Sequence, residues 1–155
     1  MRTPEEWFVE YAKCHQNETN TKIHLICVPA IYFSLVGILM SFDAKILMNF
    51  TSFNHPIVIN WAVLVSIPVL FFYLRMSLMI FLEMLIFTTL CIVGNYHLGE
   101  ILPLFYTSLI IFIIAWVGQF YGHKLEGKKP SFFKDLQFLL IGPIWVFEKV
   151  LGRRS

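Results

Sequence analysis

A chain of 155 residues that is 57% hydrophobic and only 14% charged lies outside soluble composition, where about a quarter of residues are charged, and reads as an integral membrane protein. Its net charge of +2 is too small to imply a nucleic-acid partner. Three cysteines, Cys14, Cys27 and Cys91, form no C-x-x-C pair and are too few for a disulfide framework.

Residues 1 to 22 are mixed and charged, without the basic stretch and apolar core of a secretory signal. Within them, Pro4 to Lys13 predicts a short interfacial helix with Trp7, Phe8 and Tyr11 on its apolar face. Crossing a hydrocarbon core of about 30 Å takes about 20 helical residues, and four runs meet that need. They are residues 23–42, 57–74, 76–94 and 101–120, the third carrying one acid, Glu83. Arg75 separates the second and third runs and predicts a tight hairpin turn over Leu74 to Ser77. After the fourth run, 131–151 predicts an amphipathic C-terminal region lying on or dipping into the cytoplasmic interface, with Ser131 as its cap and Gly142-Pro143 as a break. The expected architecture is an all-α integral membrane protein: one membrane-embedded domain, 1–155, with four transmembrane helices, an N-terminal interfacial helix and that C-terminal segment.

Threading these spans back and forth assigns orientation. The side holding both termini and Arg75 receives eleven Lys and Arg residues, and the other side only Lys45. That imbalance predicts an even number of spans with cytoplasmic termini, since basic residues accumulate on the cytoplasmic side. The same threading sorts the histidines. His15, His24 and His123 fall at the cytoplasmic face, with His55 and His97 opposite. A single ion cannot draw ligands from both groups across about 30 Å of helix.

At the cytoplasmic face, Asn20 and His24 are four apart and share a helix side, whereas His15 is nine residues from His24 and needs a turn to converge. Asn17 through Thr21 supply turn-forming side chains. In GHKLE, His123 and Glu126 are three apart and share a helix face. Two or three imidazoles with a carboxylate are the ligand set of a non-haem ferrous site with open positions. His55 and His97 read as loop or cap residues, His97 with Glu100 as an alternative second site. Glu83 reads as a structural hydrogen-bond donor or a catalytic acid, because an acid at that depth is costly and faces the bundle interior.

The order His15, Asn17, Asn20, His24, Pro29, followed by Trp116, Gln119, Phe120, Gly122, His123, Glu126 and Pro130, resembles the family of the yeast 2-hydroxy fatty acid dioxygenase. Gln137, Pro143 and Glu148 fit its tail, while the middle spans match only in hydropathy. Some relatives carry a second His where this chain has Gln16. The resemblance implies an Fe(II)-dependent membrane enzyme of fatty acid α-oxidation, with 2-hydroxy fatty acid and O₂ as substrates. It implies His15, His24 and His123 as iron ligands, with Asn20 and Glu126 as further ligands or as groups that hold them. The host membrane would be a bacterial inner membrane or the endoplasmic reticulum.

That chemistry agrees with the residue pattern. A 2-hydroxy acid offers a hydroxyl and a carboxylate to one iron, and loss of its carboxyl carbon leaves a chain one carbon shorter. Tyr32, Phe33, Trp116 and Phe120 are candidates to line the acyl tail, and Lys22, Lys124 or Lys128 to meet its carboxylate. Two other classes stay open: a b-type haem held by His24 and His123, and a transporter or scaffold centred on Glu83.

Overall fold

The computed structural model describes residue 6 and residues 17–50, 55–125, 127 and 132–152. Among these, every regular element is a helix: α1 Glu18–Met40, α2 Lys45–Met48, α3 Trp61–Met76, α4 Leu78–Ile101, α5 Leu104–Leu125 and α6 Phe132–Val150. The expected N-terminal interfacial helix falls, save for Glu6, outside the described residues.

Three helices, α1, α4 and α5, are long and apolar enough to cross a membrane, each about 33–36 Å at 1.5 Å per residue. The fourth apolar helix, α3, has 16 residues and reaches about 24 Å. It begins at Trp61 rather than at 57 because Asn60 takes an extended conformation and caps it. The Asn60 side-chain oxygen accepts the Val63 N–H at 2.9 Å, while its amide donates to the carbonyls of Pro56 and Ile57. The hairpin turn is tighter than the expected Leu74 to Ser77. Helix α3 runs through Met76, and Ser77 alone is extended, its hydroxyl accepting the Met79 N–H at 3.2 Å as the cap of α4.

Helix α4 outruns its expected end at Gly94 by seven residues, because Asn95 does not interrupt it. The Asn95 amide nitrogen donates to the carbonyls of Cys91 and Phe33, both at 2.9 Å, so both of its N–H groups are satisfied within the helix and against α1. The helix stops at Leu102, held extended by the following Pro103. Helix α5 accordingly starts at Leu104 and ends at Leu125, later at both ends than the expected 101–120.

Helix α6 corrects the expected break. It continues through Gly142-Pro143 without a break, and six consecutive residues, Ile141 to Val146, are buried. Six residues at about 100° each sweep more than a full turn, so this stretch is enclosed on every side. A surface helix would leave one face open. A mid-helix proline costs about 3 kcal/mol, whereas burying Ile141, Ile144 and Val146 contributes about 1.5–3 kcal/mol each. Packing therefore outweighs the break.

The chain divides into two compact units, Met1–Tyr32 with Ile113–Ser155, and Phe33–Phe112. Helices α1 and α5 contribute a segment to each. The first unit buries Val28, Ile31, Ala115 and the middle of α6. In the second, α3 packs on α4, with Tyr73 and Met84 fully buried. Leu82, Ile86 and Leu90 recur at four-residue spacing on α4 and are exposed, an outward apolar stripe suited to lipid.

Candidate metal centre

Within the first unit, the start of α1 and the end of α5 carry the chemistry. Helix α1 is started by Asn17, whose side-chain oxygen accepts the N–H groups of Thr19 at 2.9 Å and Asn20 at 3.2 Å. Of the segment expected to turn, Asn17 through Thr21, all but Asn17 is thus already helical. From that cap, Asn20 and His24 fall on one side of α1 and are buried, with 0% and 1% of their surface exposed. On α5 the same spacing recurs. Gln119 and His123 stand four apart and are also buried.

The two imidazoles meet. The ring centroids of His24 and His123 lie 4.9 Å apart with planes at 81°. His24 Nδ1 is 2.9 Å from the backbone carbonyl oxygen of Asn20. A carbonyl only accepts, so Nδ1 carries the hydrogen and the neutral ring keeps its lone pair on Nε2. Pinning one ring nitrogen on a carbonyl so that the other is presented as a donor to metal is how metal-binding histidines are oriented. A ferrous ion fits this pair on donor chemistry, since imidazole nitrogen suits Fe, as it does Zn, Cu and Ni.

Gly122 makes the approach possible. A methyl group there would strike the Asn20 side-chain oxygen and come within 3.4 Å of His24 Cε1. Among the described residues, no three His, Cys, Asp or Glu side chains gather closely enough to hold a metal. The expected partners His15 and Glu126 lie outside the described residues.

The other expected residues separate by face. Lys22 lies two residues from both Asn20 and His24, hence about 200° around the helix. Its side chain is 76% exposed and its ammonium is 4.0 Å from Glu18. Lys124 is likewise exposed. Trp116 and Phe120 stack one turn apart, with centroids 5.5 Å apart, about 60° around α5 from the Gln119 and His123 row. Phe120 is partly exposed and Trp116 half-buried. Lys128 lies outside the described residues.

In the second unit, Glu83 is half-buried on α4. His97 is helical, contrary to the loop or cap expected. Its Nδ1 is 2.9 Å from Glu100 Oε2, an exposed pair one helix turn apart. His55 is an exposed loop residue whose Nδ1 accepts the Ile57 N–H at 3.3 Å.

The sequence offers Gln119 and Gly122 only as motif members and Thr21 only as a turn former, yet Thr21 is buried beside Asn20. The repeated four-residue step, Asn20 to His24 and Gln119 to His123, is the signal that pairs the two helix faces. No curated protein and no solved structure matches the chain. Residues 1–154 match the family described as Mpo1-like, 2-hydroxy-palmitic acid dioxygenase Mpo1-like, across both histidine segments and the spans between them. The chain therefore belongs to the Mpo1-like family.

Proposed function

We propose that this chain is an Fe(II)-dependent dioxygenase that shortens 2-hydroxy long-chain fatty acids by one carbon. The observation that carries the reading is the buried His24 and His123 pair, with His24 Nδ1 committed to the Asn20 carbonyl. In this reading His24, His123 and His15 hold the iron, and Asn20 and Glu126 complete or orient the set. When bound, ferrous iron supplies the redox chemistry that dioxygen needs. The overall change balances: a 2-hydroxy acid and O₂ give the acid one carbon shorter, CO₂ and water, with four electrons leaving carbons one and two.

The chain's own residues do the rest. The Asn20 carbonyl holds the His24 tautomer, and burial of both rings keeps bulk water from the reacting carbons. Trp116 and Phe120 offer an apolar wall to the acyl tail. Lys22 and Lys124, outside the buried pair, draw carboxylates toward the cytoplasmic face. In this reading α3 makes a fourth crossing and both termini are cytoplasmic, which the eleven-to-one distribution of basic residues supports.

The pair geometry supports a non-haem centre over a haem. Rings 4.9 Å apart in edge-to-face contact suit a small ion between their nitrogens better than a porphyrin.

The test is mass spectrometry of lipid products after incubating detergent-solubilised protein with Fe(II), O₂ and a 2-hydroxy long-chain fatty acid. Wild type should yield the acid one carbon shorter, and His123→Ala should lose at least about 100-fold of that product. Equal product from the variant, or none from iron-loaded wild type, overturns the assignment.

A further inference from the structure

Gly122 lies where α5 packs closely against α1 within the first unit, directly before His123 in the chain. An added methyl would meet the side-chain oxygen of Asn20 first, then Asn20 Cγ and His24 Cε1, both at 3.4 Å. One turn earlier on the same face, Gly118 faces different neighbours. A methyl there would meet Cys27 Sγ at 2.6 Å and Ile23 Cγ2 at 3.9 Å, touching neither Asn20 nor His24. The two glycines thus allow the same close helix packing but guard different side chains.

Small residues that merely let helices approach are interchangeable in kind. What distinguishes Gly122 is its neighbours. The Asn20 carboxamide rests on its bare Cα, and the Asn20 carbonyl four residues before His24 receives the Nδ1 hydrogen. Pushing the Asn20 side chain aside would shift the turn of α1 that sets this tautomer, and would press on the ring edge between its two nitrogens.

We infer that Gly122 is a positioning residue: its missing side chain seats the Asn20 carboxamide beside His24 and so fixes the donor face that His24 presents alongside His123. The inference rests on the reading of this pair as a metal centre. Part of its test is independent of that reading.

The experiment compares full-length wild type with Gly122→Ala, Gly118→Ala, Asn20→Ala and the double variant Asn20→Ala/Gly122→Ala in lipid nanodiscs. One readout is the ¹⁵N NMR signature of the His24 ring in metal-free protein. The other is Fe(II) affinity measured by competition with a chromophoric chelator. Gly122→Ala should lose the Nδ1-protonated signature and weaken iron binding about 10- to 100-fold, the cost typical of removing a group that orients a ligand. Gly118→Ala should keep the signature and stay within about threefold in affinity, well under that range.

In the Asn20→Ala background the clash is gone, so Gly122→Ala should add nothing, a non-additive cycle between touching residues. That double variant also answers the objection that Gly122→Ala simply fails to fold. Equal damage from both glycine variants, a wild-type signature in Gly122→Ala, or strict additivity with Asn20→Ala would each overturn the inference. If wild type binds no iron at all, the metal reading falls, and the NMR comparison alone decides the role of Gly122.

Discussion

His24 shows how much one hydrogen bond decides. Its buried ring would be ambiguous between two tautomers, but the Asn20 carbonyl at 2.9 Å selects one. The i, i+4 spacing of those residues was visible in the chain, and their shared face with it. The meeting with His123, 99 positions away in the chain, was not. A second glycine, Gly37 in the other unit, makes the same point about close approach. A methyl there would strike both Asn95 Oδ1 and Ser108 Oγ, two buried atoms to which the described residues offer no hydrogen bond. The one Gly37 Cα–H that stands in the methyl's place points toward these oxygens, at most a weak donor. Gly37→Ala should therefore destabilise the chain by about 1–3 kcal/mol, read as a lower thermal unfolding midpoint in detergent. A midpoint equal to wild type would mean that the Asn95 and Ser108 side chains rearrange freely.

Among elements, the sequence located helices better than it located their ends. Long apolar runs marked α1, α4 and α5, yet α4 extends seven residues past Gly94 because Asn95 finds carbonyl partners. The connection from α1 to α3 is built from polar side chains on backbone groups. Asp43 accepts the Lys45 N–H at 2.9 Å, and the Trp61 indole donates to the Asp43 carbonyl at 2.9 Å. The Lys45 backbone N–H, and then the Lys45 side chain beside it, hold the Asp43 carboxyl below its ordinary 3.8. Because the folded value is depressed, this contribution is full above the ordinary range and is lost as pH falls through the lowered value. Hydrogen exchange over residues 41–48 should accelerate as pH drops below 3.8, after correction for intrinsic rates. Asp43→Asn keeps an acceptor and cannot titrate, so its exchange should lose that acid-dependent step; retention of the step would assign it to another group.

For the whole molecule, the C-terminal segment departs furthest from the reading of the chain. Its alternation of apolar and charged residues suits a surface helix, but Ile141 to Val146 are enclosed. Trp145 is 7% exposed, with the Lys149 ammonium 4.9 Å from its ring centroid. Trp145→Ala should cost about 3–5 kcal/mol, as for a large aromatic in a core. A loss below about 1 kcal/mol, the level of ordinary surface substitutions, would return α6 to the membrane surface.

Composition and hydropathy alone established a membrane protein of helices, because a bilayer core leaves backbone groups no partners except their own helix. The charge distribution set an expected orientation, and residue order carried the family. Tertiary structure alone brought His24 within 4.9 Å of His123 and drew the middle of α6 inside. Each of these depends on contacts between residues far apart in the chain, or on which neighbours occupy a helix face. Local spacing fixes the side of a helix on which a residue stands, and only packing fixes what stands opposite.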